Sequence, residues 1–223
     1  MADDTLPTVL PIFPLTGVLL LPGMRLPLNI FEPRYRNMVA HALEEGRHIG
    51  MIQPWVPRQD NSPLPEAELD APELYPVGCA GRLEVARETP DGRYLIELRG
   101  ISRFRVREEL PLRRGYRRVA PDYREFEADG KEPAAEIKLE RLVRAASTFA
   151  DARGMPLDED ELRKLSGVVL LNGLAVALPF APAEKQALLE APGLLEREAV
   201  LLSLLEMGLA GAAAEPTAPP DLN

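Results

Sequence analysis

The residues that could do chemistry are few, and their spacing defeats most of what they could do. Cys79 is the single cysteine, and His41 and His48 are the only histidines. A zinc site needs four ligands at a recognised spacing, and one cysteine with two histidines completes none. A cysteine nucleophile needs a histidine base, but Val77-Gly78-Cys79-Ala80-Gly81 reads as a tightly packed strand, so Cys79 is expected to be a buried structural thiol. Lys164 and Ser166 come nearest to a serine–lysine dyad, yet two residues apart on a helix they face different ways. The Gly130-Lys131 pair is followed by Glu132 and preceded by no Gly-rich loop that could cradle a phosphate. Asp158-Glu159-Asp160-Glu161 suits a helix start better than a metal site. The expectation is a chain with no catalytic residue, no cofactor and no metal.

What remains are residues suited to contact. Trp55 closes a short apolar segment directly before a proline-rich stretch, with Met51 four residues earlier, and an aromatic beside a thioether makes an adaptable polypeptide-binding surface. Phe31 and Tyr35 stand at a strand-to-helix junction, where packing competes with a role at a rim. A second candidate surface is cationic. Between Arg93 and Arg118 lie nine arginines against three acids, a local excess of +6 in a chain of net charge −9. Arg103, Arg105 and Arg107 alternate along one strand, and Arg117 follows beside Tyr116. They form a candidate nucleic-acid face, although an aromatic content of 5% leaves few rings to stack on bases. The competing reading is a solvated strand face paired with neighbouring glutamates.

The elements that must position these residues follow from periodicity. Pro11, Pro14, Pro22 and Pro27 break the apolar run 10–31 into short extended pieces, with a turn at Pro22-Gly23. Asp3 and Asp4 deny this run the basic start of a signal peptide. From Glu32 to Gly46, Tyr35, Met38, Val39, Ala42 and Leu43 share one helical face, and Pro33 suits the first turn. A strand over Ile49–Val56 leads into Pro57–Pro76, whose five prolines and interspersed acids predict a long surface loop. Val77 to Phe126 then runs at period two, with a turn at Thr89-Pro90-Asp91-Gly92. After Gly130 the period turns helical: Ala135–Ala152, one helix from Asp158 through the apolar run to Leu178, another from Pro182, and a last from Glu196 to Met207 stopped by Gly208. These elements divide the chain into a β-rich part over 1–127, a helical bundle over 128–209 and a disordered tail over 210–223.

Three blocks carry a family resemblance. The first is Leu10 to Tyr35, ending Ile30-Phe31-Glu32-Pro33-Arg34-Tyr35. The second runs from Tyr75-Pro76-Val77-Gly78 through Asp91-Gly92-Arg93 to Leu98-Arg99-Gly100-Ile101-Ser102-Arg103-Phe104-Arg105-Val106. The third comprises Leu178-Pro179-Phe180, Glu184-Lys185-Gln186-Ala187-Leu188-Leu189-Glu190 and Glu196-Arg197. Together they resemble the amino-terminal substrate-binding domain of Lon proteases, in the version of free-standing bacterial proteins and of the related domain of cereblon. The resemblance implies an α+β fold, an antiparallel PUA-like β pseudo-barrel with one inserted helix followed by a helical bundle. It also implies a non-catalytic module for unfolded or partly folded polypeptides, an adaptor or recruiter for a protease or chaperone system. PUA-like relatives that bind RNA keep the arginine face in play. With 46% hydrophobic and 27% charged residues, acidic net charge and one cysteine, the chain is expected in the cytoplasm, away from membranes.

Overall fold

The computed structural model describes residues 5–55, 72–129, 131 and 137–214. Six strands, with one α-helix inserted among them, precede five further α-helices among the described residues: β1 Leu10–Pro14, β2 Arg25–Ile30, α1 Pro33–Glu44, β3 His48–Ile52, β4 Val77–Glu88, β5 Tyr94–Arg113, β6 Tyr116–Asp122, then α2 Leu139–Asp151, α3 Glu159–Arg163, α4 Gly167–Ala177, α5 Pro182–Glu190 and α6 Leu194–Ala214. The architecture is α+β, as the sequence patterns predict.

The strands form one sheet in the order β2-β5-β4-β3-β1-β6, and β5 pairs a second time with β6. That second pairing rolls five strands into a closed ring and leaves β2 as an appendage on the first half of β5. The twenty-residue β5 makes this possible: Tyr94–Arg99 pair with β2 and Arg105–Arg113 with β6. One pairing departs from the antiparallel expectation, since β1 and β3 run parallel with Phe13 opposite Met51. The helix α1 supplies the crossover that a parallel pair requires.

Each face of this sheet has its own fate. One face carries Phe13, Met51, Cys79, Leu83, Ile96 and Leu98, and packs with α1 and the helices into the main core. The other face curls inward over the ring, where Leu10, Ile12, Ile52, Ala80, Phe104 and Val119 fill the interior. The filling is tight enough to dictate glycine. A Cβ on Gly78 would lie 2.7 Å from Phe104 Cζ and 2.6 Å from the Met51 carbonyl, and one on Gly50 would lie 2.7 Å from Leu10 Cδ2. Both contacts are far inside van der Waals distance, so the Phe104 ring has room only because these positions lack side chains.

The helical part differs from expectation in two places. The run from Asp158 to Leu178 is two helices, because Ser166 caps α4 by accepting the Val169 N–H while Asp158 caps α3 from Asp160 and Glu161. The last helix passes Gly208 and continues to Ala214, so residues 210–214 of the expected tail are helical and only the remainder lies outside the described residues. Of the expected Pro57–Pro76 loop, 57–71 lies outside them too.

A buried arginine locks the two parts together. Arg103 and Asp129 are 1% and 4% exposed in their side chains. The guanidinium donates to both Asp129 oxygens, to the carbonyl of Leu189 at the end of α5 and to those of Ala191 and Pro192 just beyond it. Its plane also lies over the Phe126 ring at 4.6 Å. Nearby, Gln53 accepts from Gly17 N and donates to Pro182 O and Gln186 Oε1, while Gln186 donates to Val77 O. Buried polar groups are thus satisfied across the junction.

Candidate functional site

The outer end of the sheet, where β2, β5 and β4 lie side by side, leaves one face bare. Antiparallel partners share a face, so the register assigns it. Asn29 and Arg87 flank Leu95, and Pro27 and Val85 flank Glu97. Leu95 and Val85 are 43% and 47% exposed, and Phe31, two residues beyond Asn29, is 63% exposed. Leu95 and Val85 step diagonally across β5 and β4, and Phe31 follows directly on the last residue of β2, so the three mark out an apolar stripe at this end of the sheet. Below it the face turns charged: Arg25 pairs with Glu97 and Glu84, and Arg99 with Glu84, at 2.6 to 2.9 Å. The same face, followed along β4 and β5 past the shift in register at Ala80/Gly81, becomes the closed ring interior.

A second exposed aromatic stands elsewhere. Trp55 is 51% exposed and meets Tyr75 edge-on at 4.9 Å. The two sit on a short ladder in which Trp55 N donates to Glu73 O and Tyr75 N to Gln53 O. Arg117 braces its base by donating to Pro72 O while forking onto Glu109.

The structure separates the sequence candidates. Phe31 and Trp55 reach solvent. Met51 does not: β3 lies between β1 and β4 with every residue buried, so its thioether belongs to the core. Tyr35 is buried as well, its ring 4.3 Å from that of Phe13, and burial pushes its phenol pKa up. Val85, Leu95 and Pro27 escaped sequence reasoning, although an apolar Leu95 on the polar side of a period-two strand was a usable signal.

Burial and ion pairing break up the arginine face. Arg103 is inside the protein, so it can touch no nucleic acid. Arg103 and Arg105 alternate on one side of β5 as the sequence implies, but the helices cover only Arg103. Arg105 forks onto Glu125, Arg113 onto Glu45 and Arg117 onto Glu109, while Arg93 pairs with Asp91. Hydrogen bonds from Arg113 and Arg105 hold the Glu45 and Glu125 carboxyls below their ordinary range. Arg107 and Arg114 are exposed and Arg118 donates to the Pro111 carbonyl, but these few guanidiniums amid ion-paired neighbours make a weak electrostatic footprint.

The groups considered for chemistry are placed equally plainly. Cys79 is buried and burial pushes its thiol pKa up, away from a reactive thiolate. His41 Nδ1 lies 2.8 Å from the Tyr116 hydroxyl, and His48 is buried in β3. Lys164 pairs with Glu161, and Ser166 is the α4 cap. Gly130 lies outside the described residues. Among the described residues there is no cluster of three His, Cys, Asp or Glu that could hold a metal ion, and no helix is long and apolar enough to cross a membrane.

A sheet closed on itself, one inserted helix and a covering helical bundle occur together in proteins of known structure. The Lon N-terminal domain protein of Xanthomonas campestris superposes with a TM-score of 0.61 at 23% identity, covering 88% of this chain and 98% of that one. The N-terminal domain of a Mycobacterium avium complex Lon protease gives 0.60 at 16% identity, covering 89% and 98%. In sequence, the ATP-dependent protease La (LON) substrate-binding domain matches residues 9–207. The chain belongs to that family. A Lon protease of Desulfovibrio desulfuricans is 30% identical over 88% of this chain, and one of Flavobacterium johnsoniae 24% identical over 94%. The chain spans 22% and 25% of the lengths of those two relatives. The LON substrate-binding domain and its fold therefore account for nearly the whole described structure.

Proposed function

We propose that this LON substrate-binding domain is a non-catalytic polypeptide-binding module whose client surface is the bare outer face of β2, β5 and β4. The single observation that carries the reading is the stripe of Phe31, Leu95 and Val85, with Pro27 beside it, exposed on β5, β4 and the end of β2 while Ile30, Leu83, Ile96 and Leu98 on the opposite face are buried. Scattered exposed apolar residues need no explanation, but contiguous ones on rigid strands are a feature of interaction sites. Unfolded and partly folded chains offer the apolar segments such a stripe would cover, and an acidic net charge of −9 disfavours polyanions as competitors. Handing such clients to a protease or chaperone system would make the module an adaptor or recruiter.

The test is binding of fluorescent, reduced and unfolded casein fragments followed by anisotropy. Leu95→Asp should weaken binding at least about tenfold, the scale of losing an interface anchor, and leave the melting temperature nearly unchanged. Val85→Asp should behave alike. Wild-type affinity in both variants, together with loss on Trp55→Ala, would move the site to the Trp55–Tyr75 ladder and defeat the proposal.

A further inference from the structure

Among the described strands, β2 has a partner on one side only: it pairs with β5 and with no other. Its backbone groups alternate in direction: Met24 O accepts from Gly100 N on the β5 side, so the even positions point inward and Arg25, Pro27 and Asn29 point to the open edge. That edge offers the carbonyls of three residues and the N–H groups of Arg25 and Asn29, since Pro27 has none. Proline is tolerated in a strand at such an edge-facing position.

We propose that this edge binds an extended client segment by adding it as an antiparallel strand beside β2. The inference rests on the polypeptide-binding reading above and gives it a backbone mechanism. Unpaired ladder groups on a flat edge select extended backbone irrespective of sequence, which suits a domain that meets many unfolded chains. In an antiparallel pair the residues opposite Arg25, Pro27 and Asn29 turn their N–H groups toward β2 and their side chains to the outer face. An added strand would thereby extend the stripe of Phe31, Leu95 and Val85 with its own apolar side chains. Pro27 also argues for a client over a second copy. A client keeps its own donors for all three carbonyls, whereas a second β2 would bring another proline to the same edge.

The experiment uses a fluorescent heptapeptide alternating valine and serine, prepared unmodified, N-methylated on its valines, and N-methylated on its serines. A methyl group removes one donor without changing the side chain. Methylation of the edge-facing set should weaken binding roughly five- to tenfold for each bond lost, and methylation of the other set should leave affinity within about twofold. The valine set is the edge-facing one when the valines lie on the stripe. Equal affinity of all three peptides, or equal loss from both methylated ones, would overturn edge pairing. Leu95→Asp is measured beside them with the unmodified peptide. If it loses binding while the three peptides remain equivalent on the wild-type protein, the surface reading stands and strand addition falls. Dimerisation in sedimentation that Asn29→Pro abolishes would assign the edge to a second copy and overturn the client assignment.

Discussion

The two ends of one sheet face invite comparison. At the ring, that face carries Leu10, Ile12, Ile52, Phe104 and Val119, all buried; at the β2 end it carries Phe31, Val85 and Leu95, all exposed. Residue type does not distinguish them, since both sets are large and apolar. Topology does. Both halves of β5 pair with β4 on one side; on the other, the second half meets β6 and closes the ring, while the first half meets β2, which has no further partner among the described strands. Apolar side chains are therefore stabilising at one end of the face and available at the other. Closure decides which of the two a residue becomes.

The sharpest way to break this contrast is to hollow the closed end. Phe104→Ala should destabilise the protein by about 4 kcal/mol in chemical denaturation, because the Gly50 and Gly78 walls have no side chains with which to refill the space. A loss below about 1 kcal/mol would show that the ring interior is not close-packed. Next in size is the junction. Arg103→Met should cost about 3 kcal/mol, since it strands the Asp129 carboxylate in the interior. The double variant Arg103→Met, Asp129→Asn should recover part of that loss. At the open end the effect shrinks: Leu95→Ala should change stability by no more than about 1 kcal/mol, whereas a buried leucine of the ring, such as Leu10→Ala, should cost at least about 2 kcal/mol. Equal costs at the two positions would erase the distinction between the ends.

The smallest effect is electrostatic. Hydrogen bonding from Arg124 holds the Asp122 carboxyl at about 2 against an ordinary 3.8, and Glu45 and Glu125 are held low in the same sense. A depressed folded-state pKa contributes stability that is present above the unfolded value and lost as the pH falls through the folded one. The melting temperature should therefore slope gently downward between about pH 4 and 2. Because these side chains are exposed, salt should flatten the slope. A slope of opposite sign would contradict the pairing.

Much of the scaffold was readable in the residues. The Tyr35–Leu43 face and Pro33 announce α1, and the period-two alternation of β4 and β5 announces the sheet. Local pattern fails where a long-range partner decides. Nothing near Phe13 or Met51 says that β1 and β3 run parallel, and nothing near Arg103 says that three carbonyls from 189–192 will meet it 86 to 89 residues later. The α3–α4 break is hidden for a different reason, because the apolar run after Ser166 masks an ordinary serine cap. Within the candidate surface, alternation placed Phe31 near a junction but could not report which sheet face would stay uncovered. For that reason the sequence pairs Met51 with Trp55 and Tyr35 with Phe31, although Met51 and Tyr35 are buried, and it does not single out Val85 or Leu95.

Ring closure also sets a schedule during synthesis. Leu10 and Ile12 are completed only when Val119 and Arg117 of β6 pair beside them. At roughly 5–20 residues per second, the first strand waits on the order of 5–20 s before its last neighbour has been made. Throughout that interval an apolar strand of the nascent chain is incompletely covered, the condition in which a half-made domain is most exposed to aggregation.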